Sequence, residues 1–310
     1  MKYGCFFSRV VLNFDKRCKE NKMQEITLRA YAKINLWLHV GHKRSDGFHE
    51  LLSVMQAVSL FDTVTLTRTQ TSGVVLEMVG NGDLPTDSRN IAVRAAELFL
   101  QRAQSEEGGV HISLVKRIPI AAGLAGGSTD AAAVLKGMNQ LWGSPFDEED
   151  LIEMALALGS DVPFCLVGGT CLCAGRGEIL SPLDVKQPFW MLIANSGEQI
   201  SAGAAYGEID RKGLAEAEFP PPAAIILPLK AGDIAGVCEN LSNTFEEVVL
   251  PLAPLATSYR EAFANAGASG VLMSGSGTTI FAIFESEEAA LSAHDKLTFE
   301  THLCHSIIPE

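Results

Sequence analysis

The stretch Pro119-Ile120-Ala121-Ala122-Gly123-Leu124-Ala125-Gly126-Gly127-Ser128-Thr129-Asp130 decides how this chain is read. Before it, Val110, Ile112 and Leu114 alternate as in a strand that ends at Lys116-Arg117. After it, from about Ser128 to Leu141, the apolar spacing is that of a helix. Glycines allow a backbone to come close to a ligand, and the helix that follows contributes unpaired N–H groups and the positive end of its dipole. That combination suits phosphate. It is not a Walker A loop, because no Lys-Ser/Thr follows the glycines. It is not G-x-G-x-x-G either, since no βαβ unit with a downstream ribose-binding acid surrounds it. Standing alone, the loop also reads as a turn chosen for tight strand–helix packing.

Working outward, the alternation toward the N-terminus is strict. Ile26, Leu28, Ala30, Ala32, Ile34, Leu36, Leu38 and Val40 fall on one face, and Arg29, Tyr31, Lys33, Asn35, Trp37 and His39 on the other. This predicts a half-buried strand with Lys33 and Asn35 on its polar face, where a lysine is ordinarily solvated. Further strands are expected at Thr63–Thr67 and Val74–Met78, and a helix over Ser88–Gln104 with Asp87 or Ser88 as its N-cap. Toward the C-terminus, Asp147-Glu148-Glu149-Asp150 opens a helix that Gly159 stops. Asp161 follows in Leu158-Gly159-Ser160-Asp161-Val162-Pro163, a frame that either fixes one carboxylate in a cleft or is simply a turn. Pro182 to Pro188 reads as a crossover, which divides the chain into a tail at 1–22 and domains at 23–182 and 183–310. The second half predicts strands at Met191–Ala194, Gly270–Met273, Thr279–Phe284 and Leu303–Ile308. Helices are expected near Asp233–Cys238, Leu255–Ala266 and Glu285–Leu297, and a Pro-rich stretch at Phe219–Pro228. A second glycine loop, Ser274-Gly275-Ser276-Gly277-Thr278, reads as a hairpin connection or a binding loop. The mixed order of strands and helices indicates α+β rather than a doubly wound parallel sheet.

Composition narrows the function classes. The chain has 310 residues, 47% of them hydrophobic, with 24 Lys+Arg against 37 Asp+Glu for a formal charge of −13. Such a surface repels nucleic-acid backbones and anionic lipid, so neither a nucleic-acid nor a membrane partner is expected. A small anionic ligand can still be held by a local nest of N–H groups. The cysteines at 5, 18, 165, 171, 173, 238 and 304 are odd in number and lack a C-x-x-C pair, which reads as reduced thiols in a cytoplasmic protein. His39, His42, His49, His302 and His305 show no metal-ligand spacing. The first 22 residues lack the apolar core of a secretory signal and read as a loose tail or as a start placed upstream of the true one.

Taken together, the segments Ala30–Leu36, Arg44–Leu51, Lys116–Ala131, Leu158–Pro163, Gly175–Glu178 and Leu272–Gly277 resemble the GHMP kinase superfamily, in the family's order. Within it the resemblance is strongest to the branch acting on a cytidylyl-linked polyol in non-mevalonate isoprenoid synthesis. It implies a ribosomal protein S5 domain 2-like N-terminal domain and a ferredoxin-like C-terminal domain. It also implies transfer of the γ-phosphate of ATP, with Mg²⁺, to a substrate hydroxyl, by a monomer or weak homodimer. By resemblance, Pro119 through Thr129 cradle the phosphates, with Ser128 and Thr129 near Mg²⁺. Asn90 and Lys116 lie near the adenine. Asp161 takes the hydroxyl proton and Lys33 keeps that carboxylate ionised. Asn35 contacts substrate, and Phe48 and Tyr206 sandwich a cytosine whose polar edge His49 bonds. Phe48 stands where the family often has tyrosine, Thr129 where it has serine and Thr278 where proline is common. Other readings are another small-molecule GHMP kinase, a non-catalytic nucleotide-binding relative, and an S5-like RNA-binding protein, the last opposed by the charge.

Overall fold

The computed structural model describes residues 24–80, 84–104, 108–216 and 221–308; the tail at 1–22 lies outside them. The first half of the chain runs β1 (Glu25–Lys43), β2 (His49–Thr69), β3 (Gly73–Val79), α1 (Ile91–Arg102), β4 (Gly109–Val115), α2 (Gly126–Leu141), α3 (Glu148–Leu158), α4 (Val162–Val167), β5 (Thr170–Ala174) and β6 (Ile179–Pro182). The second half runs β7 (Trp190–Asn195), α5 (Ala202–Lys212), α6 (Ala223–Ala231), α7 (Ile234–Glu239), β8 (Ser242–Asn243), α8 (Glu246–Val249), α9 (Pro254–Asn265), β9 (Gly270–Met273), β10 (Thr279–Phe284), α10 (Glu287–His294) and β11 (His302–His305). One sheet has the order β3-β4-β2-β1-β8, with β5 added to β2 and β6 to β5; the other is β11-β7-β10-β9. The architecture is α+β, as the order of elements predicts.

The long strand β1 is the spine. Its first third (Ile26, Leu28, Ala30) joins a core formed with α1 and α2. Its middle (Ala32, Ile34, Leu36) joins a second core that reaches Met191 and Ile193 of β7, and its end (Leu38, Val40) a third, with Phe245 and Phe263. Because Met191 and Ile193 face one core while Leu192 and Ala194 face the next, the second sheet is buried on both sides.

The expectation of a solvated polar face on β1 is corrected here. Lys33, Asn35 and Trp37 are 4%, 2% and 1% exposed, as deeply buried as their apolar neighbours. The pairing of β1 with β2 slips between Val40 and Lys43 near its end and, further in, at two places, between Tyr31 and Lys33 and between Asn35 and Trp37. Such irregularities bend a strand and re-aim side chains, and the inner two bracket the pair Lys33/Asn35. Strand β2 also begins earlier than Thr63, because its first half pairs with β5 while its second half pairs with β4. Helix α1 is capped by Asn90, whose side chain accepts from Ala92 N, rather than by Asp87 or Ser88. Helices α5 and α6 were not expected; the described part of the Pro-rich stretch is largely helical, with Pro228 inside α6.

Candidate active site

In the glycine loop, Ala121, Gly123 and Ala125 all have left-handed backbone, with φ of 56°, 72° and 57°. For alanine this costs about 1 kcal/mol or more each, and such turns direct successive N–H groups into one concavity. Helix α2 starts from this loop with no side-chain cap and no acid in its first turn. By contrast α1, α3, α5 and α10 are capped by Asn90, Asp147, Ser201 and Ser286. The second glycine loop joins β9 to β10, as a hairpin, and also presses on the first. Ser274 Oγ donates to the Gly123 carbonyl at 3.3 Å, and a Cβ on Gly123 would lie 2.5 Å from the Ser274 carbonyl oxygen. Asn243 holds this second loop by donating to Met273 O and Gly275 O, both at 2.8 Å. Thr278 is 2% exposed and donates to Glu198 O at 2.8 Å, so the residue that departs from proline is itself anchored.

Lys33 rises from the bracketed segment of β1. Its Nζ donates to Asn35 Oδ1 at 2.8 Å and to Gly123 O at 2.9 Å, and lies 3.9 Å from Asp161 Oδ2. Asn35 in turn donates to Ser53 Oγ at 2.9 Å, and Ser53 to Trp37 O at 2.8 Å. Both polar atoms of the Asn35 amide thus have partners inside the protein, and the residue expected to contact substrate also orients Lys33. Asp161 does not trail α3 as a loose turn residue. It occupies the N-cap position of α4, with Pro163 in the first turn, and its side chain is 36% exposed to a cavity.

That cavity, of about 580 Å³, is lined among others by Lys43, Phe48, His49, Ser128, Asp161, Arg176, Tyr206 and Asp210. A smaller one, of about 230 Å³, is lined among others by Asn90, Lys116, Pro119, Ile120, Gly126, Gly127 and Asp130. The first turn of α2 separates them. Gly126 and Gly127 face the smaller cavity and Ser128 the larger.

Several of the expected site residues have partners within the protein. Thr129 is 3% exposed and donates to Tyr31 O at 2.8 Å, which leaves Ser128 as the hydroxyl of the pair that opens on the larger cavity. Asn90 shares the smaller cavity with Lys116, but its amide caps α1 and donates to Pro85 O at 2.9 Å. Of the residues expected around the cytosine, Tyr206 stacks on His49 at 4.8 Å, and His49 Nε2 bonds Asp210 Oδ1 at 2.7 Å. Burial, with the Asp161 charge adding to it, pushes the Tyr206 hydroxyl up to about 12. Phe48 is 51% exposed, with the Arg176 guanidinium 4.7 Å from its ring centroid. Sequence reasoning singled out neither Arg176 nor Asp210 as a site residue. Their signals were faint: Arg176 lies in a glycine turn and Asp210 in an unread helix.

The site is thus one uncapped helix start between two cavities, with a Lys–Asp pair beside it. The model of the GHMP kinases N terminal domain matches residues 90–169, and that of the C terminal domain residues 225–301. A 4-diphosphocytidyl-2-C-methyl-D-erythritol kinase of Shouchella clausii is 43% identical over 84% of this chain and 86% of its own length. One from a Synechococcus species is 43% identical over 89% and 90%. A crystal structure of 4-(cytidine 5'-diphospho)-2C-methyl-D-erythritol kinase superposes with a TM-score of 0.78 at 32% identity, over 91% of this chain and 99% of that one. A mevalonate kinase of L. major shares the fold at 13% identity, with a TM-score of 0.74 over 93% and 98%. The chain belongs to the GHMP kinases and, within them, to the 4-diphosphocytidyl-2-C-methyl-D-erythritol kinase family.

Proposed function

We propose that the chain transfers the γ-phosphate of ATP to the C2 hydroxyl of 4-diphosphocytidyl-2-C-methyl-D-erythritol. The nucleotide would lie over the smaller cavity and the acceptor in the larger. The observation that carries this reading is the shared wall: one uncapped helix start faces both cavities, and Asp161 lies on the acceptor side. Phosphoryl transfer depends on positioning and on neutralising charge at the phosphoryl oxygens. The N–H groups at the start of α2 supply donors and dipole, so phosphate serves as the missing cap. Asp161 would accept the hydroxyl proton. Lys33, 3.9 Å away and fixed by Asn35 and Gly123 O, would place its positive charge beside the forming alkoxide.

Among the described residues no group of three or more His, Cys, Asp or Glu could hold a metal on its own. The Ser128 hydroxyl, which opens on the larger cavity at the start of α2, suits Mg²⁺ carried in by the triphosphate, an ion that needs few protein ligands. Ser128 would hold it, and the ion would neutralise charge on the phosphate oxygens. Phe48 and the stacked His49/Tyr206 pair offer aromatic surface for the cytosine, and Lys43 and Arg176 offer cations for the substrate's diphosphate. Residues 23–182 would carry the nucleotide, and 183–310 would close the site through the second glycine loop. The described cysteines are all unpaired, which supports a cytoplasmic setting, and no described helix is long and apolar enough to cross a membrane.

The test is ADP release on addition of the cytidylyl substrate, with mevalonate and homoserine as controls. Asp161→Asn is expected to lower kcat by roughly 10²–10⁴, the usual worth of a positioned base, with ATP affinity little changed. Near wild-type turnover in that variant would remove Asp161 from the role.

A further inference from the structure

Beneath the smaller cavity lies a buried cluster of charge that the proposed chemistry does not use. Asp62, from β2, is 0% exposed. Its Oδ1 accepts from Arg117 N at 2.5 Å and Ile118 N at 2.9 Å, and its Oδ2 accepts from Lys116 Nζ. The same Nζ donates to Asp130 Oδ2 at 2.7 Å, and Asp130 is 2% exposed, its Oδ1 without a hydrogen-bond partner. One cation thus sits between two carboxylates. Burial opposes the Lys116 charge, but Asp130 and Asp62 outweigh it and raise its pKa above the ordinary lysine value. Burial likewise raises the carboxyl of Asp130, with Lys116 opposing and Asp62 adding to the rise.

Such a cluster is a poor device for stability alone, because an apolar replacement of similar volume is often as stable. Its placement is specific. Arg117 and Ile118 are where the chain leaves β4 and turns into the phosphate loop, and Asp62 takes both of their N–H groups. Lys116 then carries the connection across to Asp130 in α2, the helix whose first turn faces the phosphates. The loop's entry is therefore tied directly to one carboxylate on β2, and the helix at its exit is tied to the same carboxylate through Lys116.

We propose that Asp62 is a positioning residue for the nucleotide: through Arg117, Ile118 and the Lys116–Asp130 link it sets the distance between the loop's entry and the start of α2. This rests on the nucleotide reading above. It acts on ATP and ADP and not on the acceptor, which lies across α2.

The experiment is ADP titration of the wild-type protein and of Asp62→Asn, followed by steady-state kinetics. Asp62→Asn is expected to weaken ADP binding and raise KM for ATP at least tenfold. KM for the cytidylyl substrate and kcat at saturating ATP should stay within about threefold of wild type. A folded variant with unchanged ADP affinity would overturn the proposal, as would a parallel rise in both KM values, which marks a fold staple. If Asp62→Asn does not fold, Asp130→Leu carries the test, since it leaves the balanced Asp62–Lys116 pair in place. At least fivefold weaker ADP binding supports the link, and unchanged binding overturns it. A wild-type protein that binds no ADP would instead overturn the nucleotide reading, and this proposal with it.

Discussion

Gly123 leaves no room for a methyl group. Its backbone is left-handed at φ 72°, a Cβ would meet the Ser274 carbonyl, and its own carbonyl holds Lys33. Gly123→Ala is therefore expected to lower Tm by several degrees and turnover at least tenfold, read by thermal melts and ADP release; a normal melt with normal turnover would show that the loops part freely. Phe48 is the opposite case. With 51% of it exposed, Phe48→Ala should leave Tm unchanged yet raise KM for the cytidylyl substrate about tenfold, the effect of losing roughly 1–3 kcal/mol of base stacking. An unchanged KM would place the cytosine elsewhere. Lys33 and Asp161 were legible because their motifs resemble those of a family, whereas periodicity misjudged the burial of Lys33. Asp62 was illegible because its partners lie 54 to 56 positions away, and no local pattern links them.

Elements were legible where period and caps agreed. The helix opened by Asp147 has both halves of its capping box in place, and β1, β3, β4, β7, β9 and β10 follow their alternation to within a few residues. What failed was governed by tertiary partners. The apolar first half of β2 shows its strand character only between β1 and β5, and α5, with Ala202, Gly203, Ala204, Ala205 and Gly207, lacks a strong apolar stripe. Its Ser201 cap, basic last turn and Gly213 stop were the signals to follow. Short β8 shows what two residues can do: Asn243 spans β1 and the second glycine loop, and its Oδ1 also accepts from Phe245 N at 2.9 Å. Asn243→Ala strips partners from three buried backbone groups, at about 1–3 kcal/mol for each left unpaired. Tm should fall markedly, and kcat should fall by more than the folded fraction explains, because Gly275 loses its anchor beside Lys33. Equal loss of kcat and folded fraction would confine Asn243 to stability.

Across the whole molecule, stability is expected to respond to acid through His39. Burial lowers its pKa from the ordinary 6.5 to about 4. The unfolded chain therefore takes up a proton near pH 6.5 that the folded chain resists until about pH 4. The His39 contribution is complete above 6.5 and drains away as pH falls through that window. Denaturant melts at pH 7.5 and 5 should show a smaller drop for His39→Gln than for wild type; equal drops would assign acid sensitivity to other groups. The three cores strung along β1 carry a different consequence, one of order in time. Thr244 bonds Leu38 from 206 positions downstream, and Ser274 reaches Gly123 across 151. A ribosome delivers β1 early and its outer neighbour very late, and closing so long a loop is slow. Nascent chains that stop before residue 242 should bind nucleotide weakly and turn nothing over, so phosphoryl transfer switches on only once the segment 242–278 has emerged and docked.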